Sequence, residues 1–302
     1  MLFSEFKNYA TENIINYLTS DYEGAEMSIS TIRKSNGYEY EALRINKKGE
    51  KCSIIPALDL TRAYKEYQKG ADLDEILAKL ADIRMNAKLS GFDKESILTF
   101  DGIKDKILPR LINTASNADY LADKPHFEIA DLSVMFAVRV EESSDGVADA
   151  PIDNNLMNLW NVSVEDIKES AFANISNQTP VFMSIEKALF ESNLDNSFDL
   201  ETADPMNDEM PFYILSNRQK VHGASIIFNK SLMAKIAEKL GKYYILPSSI
   251  HEVLIVPATL GRNAKELAEI VRNVNAESVP PQERLSDNIY EFDIEDETIK
   301  IA

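Results

Sequence analysis

The stretch FYILSNRQKVHGASIIFNKSLMAKIAEKLGKYYILPSSIHEVLIVP, residues 212–257, decides the fold class. Its short apolar runs are typical of strands, and the helical period between Asn229 and Gly241 indicates a helix with an N-cap and a glycine stop. Strands and helices that do not alternate regularly indicate an α+β fold rather than a doubly wound sheet. Extended to residue 274, the pattern predicts the order β-β-α-β-β-α, with the elements Phe212–Leu215, Ala224–Phe228, Lys230–Leu240, Tyr243–Leu246, Glu252–Val256 and Ala264–Val274.

The N-terminal third of the chain predicts a helix, a three-stranded meander and two further helices. The pair Asn36-Gly37 lies between two alternating runs and is a strong short hairpin signal. Asp72, with Glu75 three residues later, indicates the start of a helix. The predicted elements are a helix over residues 4–18, strands over 27–31, 38–45 and Cys52–Ile55, and helices over 59–69 and from residue 72 onward.

The middle of the chain combines an interrupted helix with a central strand. A predicted helix over residues 101–115 contains Pro109, which should kink it because proline removes a backbone hydrogen bond. The apolar run from Leu132 to Val138 predicts a core strand within residues 127–140. A change of character near residue 120 favours an N-terminal α+β part, 1–120, and a C-terminal α+β part with an acidic tail, 121–302, or one continuous domain. The side chains expected in the core are Val134, Phe136, Ile226, Ile245, Leu254 and Val256.

The net charge of −18 is confined to three segments of the 302-residue chain. Residues 141–155, 191–209 and 281–302 together hold 19 acidic and 2 basic residues, whereas the remainder is nearly balanced. They are expected to be solvated loops and a tail, and 191–209 should be mobile because it buries little apolar area to offset its ordering entropy. The alternative is a negative surface for a basic partner. Direct nucleic-acid binding is not expected, since the chain has no basic patch with interleaved aromatic residues.

The densest polar cluster, residues 246–252, lies between two predicted strands. Ser248 or Ser249 could act as a nucleophile and His251 as its base, with Glu252 as a neighbouring carboxylate. Adjacent side chains on a strand point to opposite faces, so His251 and Glu252 cannot easily form a hydrogen bond with each other. The same residues also fit a turn in which the serines bond to nearby backbone groups.

A second polar cluster surrounds the start of the predicted core strand. His126, Glu128 and Asp131 could join His251 in a ligand-binding, acid–base or metal site, although their spacing is not diagnostic. They equally fit satisfied polar groups at the point where a strand enters the core. The third histidine, His222, is expected to be an exposed turn residue. No glycine-rich phosphate loop or zinc-binding cysteine pair occurs, so no cofactor and no metal are predicted.

Five blocks of sequence are distinctive: PHFEIADL at 125–132, YILSN at 213–217, Gly223-Ala224, LPSSIHEV at 246–253 and LSDNIY at 285–290. They resemble the blocks of an uncharacterised bacterial family, domain of unknown function 5688, and the resemblance covers nearly the whole chain. It implies a cytoplasmic protein of bacteria, linked to mobile elements or phages, with no established activity. It also favours as site residues His126, Asp131, Ser248, Ser249, His251 and Glu252.

The leading functional hypothesis is a non-catalytic cytoplasmic interaction protein that binds a basic or nucleic-acid-binding protein through the acidic segments. The alternative is a hydrolase with a serine, histidine and carboxylate site around Ser248–Glu252. The start of the chain lacks the basic region and cleavage site of a signal peptide, and no apolar run reaches the roughly 18 residues of a membrane span. A cytoplasmic location without membrane contact is therefore expected, and the oligomeric state stays open.

Overall fold

The computed structural model of the chain describes residues 1–49, 55–86, 95–143, 146–190, 197–208, 210–247 and 249–302. Backbone contacts divide the chain into two compact units, Met1–Ile97 and Leu98–Ala302. This division precedes the expected one near residue 120, because the strand Ile107–Asn113 pairs along its whole length with a strand of the second unit. Both units combine helices with antiparallel strands, so the α+β class is confirmed.

The first unit combines three helices with a small antiparallel sheet. Its elements are α1 (Phe3–Asn13), β1 (Glu26–Arg33), β2 (Glu39–Asn46), β3 (Leu58–Asp59), α2 (Leu60–Gln68) and α3 (Leu73–Asn86). The helical spacing of Phe6 and Ala10 places both in a core with Leu43 and Ile45 of β2. The first two strands of the predicted meander are confirmed, and the sheet has the order β1-β2-β3. Its third strand is Leu58–Asp59, and residues 52–54 of the predicted strand lie outside the described residues.

The second unit contains two antiparallel sheets. In the four-stranded sheet, β6 (Leu132–Ser143) pairs with each of the others, which are β4 (Ile107–Asn113), β5 (His126–Ile129) and β7 (Gly146–Pro151). The six-stranded sheet comprises β8 (Pro180–Ser184), β9 (Tyr213–Asn217), β10 (Tyr243–Leu246), β11 (Val253–Pro257), β12 (Tyr290–Asp293) and β13 (Thr298–Ile301). Its strand order is β13-β12-β10-β11-β9-β8. The helices are α4 (Phe100–Ile103), α5 (Ala118–Leu121), α6 (Asn154–Trp160), α7 (Val164–Ile175), α8 (Ile185–Phe190), α9 (Lys230–Leu240) and α10 (Ala264–Glu277).

The predicted helix over residues 101–115 is wrong beyond its first turn. Helix α4 ends at Ile103, and Pro109 lies in β4 opposite Phe136 of β6. Among the described residues, β4 ends its sheet, and the register turns the nitrogen of Pro109 away from β6. An edge strand tolerates a proline in this orientation because no ladder hydrogen bond is lost. Tertiary pairing therefore overrides the helical spacing.

The predicted core strand over residues 127–140 is two strands, β5 and β6, that form a tight hairpin. Ala130 adopts a left-handed conformation with φ 57°, and Asp131 completes the turn. The turn matters for the candidate site, because it moves Asp131 out of the sheet and away from His126 at the other end of β5.

The C-terminal part follows the predicted order except at its second element. Residues 224–228, predicted as a strand, lie in a 3-10 helix, Gly223–Phe228. A short run that is mostly apolar and mostly buried does not by itself distinguish a strand from a buried helical turn. The caps of α9 are confirmed, since Asn229 Oδ1 accepts the N–H of Leu232 and Gly241 ends the helix with φ 70°.

Of the side chains expected in the core, Leu254 is half-buried and the buried ones are Val134, Phe136, Ile226, Ile245 and Val256.

The acidic segments contribute more structure than solvated loops would. The segment 281–302 was predicted as a tail, and this is wrong, because its strands β12 and β13 extend the six-stranded sheet and bury Tyr290. The described part of 191–209, residues 197–208, packs against the edge strand β8, where the N–H of Asp199 donates to the carbonyl oxygen of Phe182 at 2.8 Å. Apolar residues that flank the acids drive this packing, and Leu200 and Ala203 are buried.

No helix within the described ranges has the length and apolar character needed to cross a membrane.

Candidate functional site

The polar block at 246–252 forms the turn between β10 and β11. Ser249 is buried, and its Oγ accepts the backbone N–H of His251 at 3.0 Å. The N–H of Ser249 donates to the carbonyl oxygen of Glu252 at 3.2 Å. Ser248 lies outside the described residues. The hydroxyl of Ser249 therefore holds the turn, in the way that serines in turns bond to nearby backbone.

His251 faces His222 rather than a serine. The backbone N–H of His222 donates to Nδ1 of His251 at 3.2 Å, and the two ring centroids lie 5.7 Å apart. A neutral imidazole whose Nδ1 accepts a hydrogen bond carries its proton on Nε2. The ring of His251 thus ties the β10–β11 turn to the connection that follows β9.

His222 was predicted to be an exposed turn residue, and this is wrong. It is half-buried with φ 52°, a left-handed conformation, and its Nδ1 is buried without a hydrogen-bond partner among the described residues. Burial lowers the pKa of His222 to about 3, and the positive charge of Arg110 adds to the effect. The imidazole is therefore neutral at physiological pH.

Gly223 lets these two connections approach each other. A Cβ on Gly223 would lie 2.1 Å from Oγ of Ser216 and 2.4 Å from the carbonyl oxygen of His251. The same two atoms are joined by a hydrogen bond, in which Ser216 Oγ donates to the carbonyl oxygen of His251 at 2.7 Å. Only glycine fits here, because a side chain would occupy the position of a backbone atom. This explains why Gly223 belongs to one of the distinctive blocks.

A buried ionic cluster lies beside His222. Arg110 on β4, Arg139 on β6 and Asp149 on β7 point to one face of the four-stranded sheet, as their register requires. Nε of Arg139 donates to Oδ1 of Asp149 at 2.7 Å, and Nε of Arg110 donates to Oδ2 at 3.1 Å. Burial by itself would raise the pKa of Asp149, but the two guanidinium groups hold it below its usual value. The carboxylate is therefore ionised and shared by both arginines.

Glu142 links this cluster to the loop after β9 that contains His222. Its carboxylate accepts hydrogen bonds from Nη1 of Arg139 and from Nε2 of Gln219, which lies three residues before His222. Glu252, at the end of the β10–β11 turn, is half-buried, and burial raises the pKa of its carboxyl. His251, His222 and the arginine cluster therefore form one continuous polar region of the second unit.

The other predicted site residues lie elsewhere. Asp131 accepts hydrogen bonds from Ser286 Oγ at 2.7 Å and from the hydroxyl of Tyr290 at 2.5 Å. Nδ1 of His126 lies 2.8 Å from the carbonyl oxygen of Lys124. Within the described part of the chain, no hydrogen bond or ring contact joins His126 or Asp131 to His251, and no group of three or more His, Cys, Asp or Glu residues could hold a metal ion.

The contact of Asp131 with Ser286 and Tyr290 joins two of the distinctive sequence blocks across 155 and 159 residues of chain. The model of a family of unknown function, DUF5688, matches residues 3–294 of the chain. The chain belongs to the DUF5688 family. No curated protein and no solved structure matches it.

Sequence reasoning missed the arginine cluster of this DUF5688 chain. Arg110 and Arg139 are single bases inside the apolar runs ILPRLIN and MFAVRV, which form core strands. A charge within a core strand requires a buried partner, because an isolated buried charge is very costly. That signal was available, but Asp149 could not be identified as the partner without the sheet register.

The neutral state of His222 predicts a loss of stability in acid. The unfolded chain takes up a proton near pH 6.5, whereas folded His222 does so only near pH 3. Between these values the unfolded state binds more protons, so the free energy of unfolding falls as the pH falls. Because His222 is partly exposed, we expect a loss of about 2 kcal/mol between about pH 7.5 and 4.5.

Urea unfolding of the wild type and of His222→Asn at both pH values measures this term. Asparagine tolerates the left-handed backbone and does not titrate, so the variant should lose less stability in acid than the wild type. Equal losses in the two proteins would show that His222 titrates normally in the folded state.

Proposed function

We propose that this protein is a non-catalytic interaction protein that binds a basic, extended segment of a partner protein as an additional strand on β13. The observation that carries the proposal is the combination of an open strand edge and a group of carboxylates in the β12–β13 hairpin. Main-chain hydrogen bonds of such a docked strand would supply affinity, and the surrounding charges would select the partner. Basic segments of nucleic-acid-binding proteins have this chemistry.

The register of the hairpin supports an open edge. The N–H of Ala302 donates to the carbonyl oxygen of Ile289, so the hydrogen-bonded pairs alternate from there along β12 and β13. The N–H and C=O groups of Ile299 and Ile301 then point away from β12. β13 ends the sheet among the described residues, and Ile301 is 48% exposed. A row of outward backbone groups of this kind is a template for strand pairing.

The charge of the hairpin favours a basic partner. Glu295, Asp296 and Glu297 in the turn between β12 and β13 are all exposed. Glu297 forms an ion pair with Lys230, and Asp293 forms one with Lys300 of β13. Within the part of the chain that the structure describes, the carboxylates of Glu295 and Asp296 in this turn have no basic partner. By contrast, β1 ends its sheet among the described residues, and the turn that follows it begins with Lys34, next to Arg33 at the end of the strand, which pairs with Glu39. The two edges should therefore select peptides of opposite charge.

The geometry favours binding over the alternative, a hydrolase site around Ser248–Glu252. The hydroxyl of Ser249 accepts a backbone hydrogen bond, and Nδ1 of His251 accepts another, so neither is arranged as a nucleophile and its base. The required pairing is a direct hydrogen bond between the serine hydroxyl and the imidazole. The candidate catalytic roles of Ser248, Ser249, His251 and Glu252 stay predictions.

Fluorescence anisotropy with a labelled peptide of alternating lysine and valine tests the proposal. We expect saturable binding that weakens with salt, and no binding of the matched peptide of alternating glutamate and valine. Ile301→Pro removes an outward N–H without breaking the β12–β13 ladder, and it should weaken binding by about tenfold or more. The double variant Glu295→Gln, Asp296→Asn should weaken binding at low salt and reduce its salt dependence.

The β1 edge provides the matched control. By the hairpin register, the backbone groups of Ile29 also point outward from their sheet, and its side chain is 37% exposed. Ile29→Pro should leave the affinity for the lysine peptide unchanged. Equal loss in Ile29→Pro and Ile301→Pro, or binding that is insensitive to both, would contradict docking on β13.

A further inference from the structure

Two buried hydrogen-bond donors in the second unit have no acceptor among the described residues. They are Nη2 of Arg139 and Nδ1 of His222. The side chain of Arg139 is only 10% exposed. Its Nε donates to Asp149 and its Nη1 donates to Glu142, whereas Nη2 has no partner among the described residues. A buried polar atom without a partner costs about 1–3 kcal/mol, so such atoms in a folded protein call for an occupant.

The two donors belong to the same region. Glu142 accepts hydrogen bonds from Arg139 and from Gln219. These bonds hold the loop that contains His222 near the end of β6. Burial is the main reason that the pKa of His222 is lowered, and the charges of Arg110, Asp149 and Arg139 also act on it. Gly223 allows the loop that contains His222 to pack closely against Ser216 and His251.

The local charge favours an anion. Arg110 and Arg139 contribute two positive charges, and Asp149 returns one negative charge, which leaves one positive charge inside the cluster. Glu142 lies at the rim, where its side chain is 45% exposed and its charge is screened by solvent. The neutral ring of His222 has one N–H, which can be on Nδ1, because no protein group accepts from that atom or donates to it.

We propose that Nη2 of Arg139 and Nδ1 of His222 together bind a small oxyanion, and that a carboxylate is the favoured chemical class. A carboxylate has two oxygens, one for Nη2 of Arg139 and one for Nδ1 of His222, and its single charge balances the cluster. Phosphate would bring additional charge and further oxygens, whereas Asn275 Oδ1, the remaining unpartnered buried side-chain atom among the described residues of the second unit, is an acceptor. The site is separate from the β13 edge and does not depend on the proposed function.

The test uses the full chain labelled with ¹⁵N and sodium formate as the probe, with sodium chloride at equal ionic strength as the reference. Formate should shift the side-chain N–H resonances of Arg139 and the ring nitrogens of His222 to saturation. His222→Ala removes the ring donor and should weaken formate binding by about tenfold. His222→Asn keeps an N–H donor near the position of Nδ1 and suits the left-handed backbone, so its affinity should stay within about threefold of the wild type.

Three results would overturn the proposal. One is the absence of saturable shifts in the wild type up to about 100 mM formate, a concentration high enough to reveal binding with a dissociation constant of about 10 mM. Another is saturable binding that shifts other residues but neither Arg139 nor His222. The third is equal affinity in wild type and folded His222→Ala. If His222→Ala does not fold, the wild-type titration and the His222→Asn variant still decide the result.

Discussion

Replacing Asp149 by alanine is expected to lower the free energy of unfolding by about 3–5 kcal/mol. Asp149 is the shared partner of Arg110 and Arg139, and Arg110 is almost completely buried. Its removal leaves the buried guanidinium group of Arg110 without its counter-charge and leaves Arg139 with Glu142, whose side chain is 45% exposed. A buried charge without its partner costs far more than the lost attraction between exposed ions. Equilibrium unfolding in urea measures the difference directly.

A second ion pair of the same unit provides the control. Asp199 pairs with Lys187 at 2.9 Å, but both side chains are about 30% exposed. Asp199→Ala should therefore cost less than about 1 kcal/mol, since solvent screens a pair at the surface. If Asp149→Ala were as mild as Asp199→Ala, the carboxylate would not hold the two arginines in the folded protein.

Replacing Gly223 by alanine is expected to lower the free energy of unfolding by about 3 kcal/mol. The new Cβ would lie 2.4 Å from the carbonyl oxygen of His251 and 2.8 Å from the backbone nitrogen of Asn217. Backbone atoms cannot rotate aside as a flexible side chain can, so the two connections must separate. We also expect the resonances of His222 and His251 to change, because their hydrogen bond spans this contact.

Gly261→Ala separates steric exclusion from backbone strain. Gly261 has a positive φ of 69°, but a Cβ there meets no atom within 4 Å. Its replacement should cost only about 1 kcal/mol, the price of a left-handed alanine. A Gly223→Ala variant that is no less stable than Gly261→Ala would mean that the connections are not packed as closely as described.

The sequence was a good guide wherever structure is determined locally. Asn229 and Gly241 mark the ends of α9 by their own chemistry, as the sequence predicted. The error at Pro109 has the opposite origin. Pro109 lies in a strand because β4 pairs with β6. The residues of β6 are distant in sequence, so the local pattern around Pro109 does not indicate this pairing.

The candidate site was partly predictable. The turn predicted between the two strands is confirmed, and Ser249 bonds to nearby backbone as that alternative expected, whereas the contact of His251 with the backbone of His222 was not foreseen. The environment of His222 was not predictable, because it is produced by Arg110, Arg139 and Asp149 from a different sheet. Contacts between distant segments determine burial and pKa there, and local sequence carries no direct signal for them.

Hydrogen exchange at β13 is the most direct measurement of the proposed function. In the free protein the amides of Ile299 and Ile301 point away from β12 and should exchange quickly, whereas that of Lys300 faces Glu291 and should be protected. When the lysine–valine peptide is added, Ile299 and Ile301 should become protected and Ile29 of β1 should not change. Protection of β1 instead, or no change at Ile299 and Ile301 with the peptide bound, would contradict strand addition at this edge.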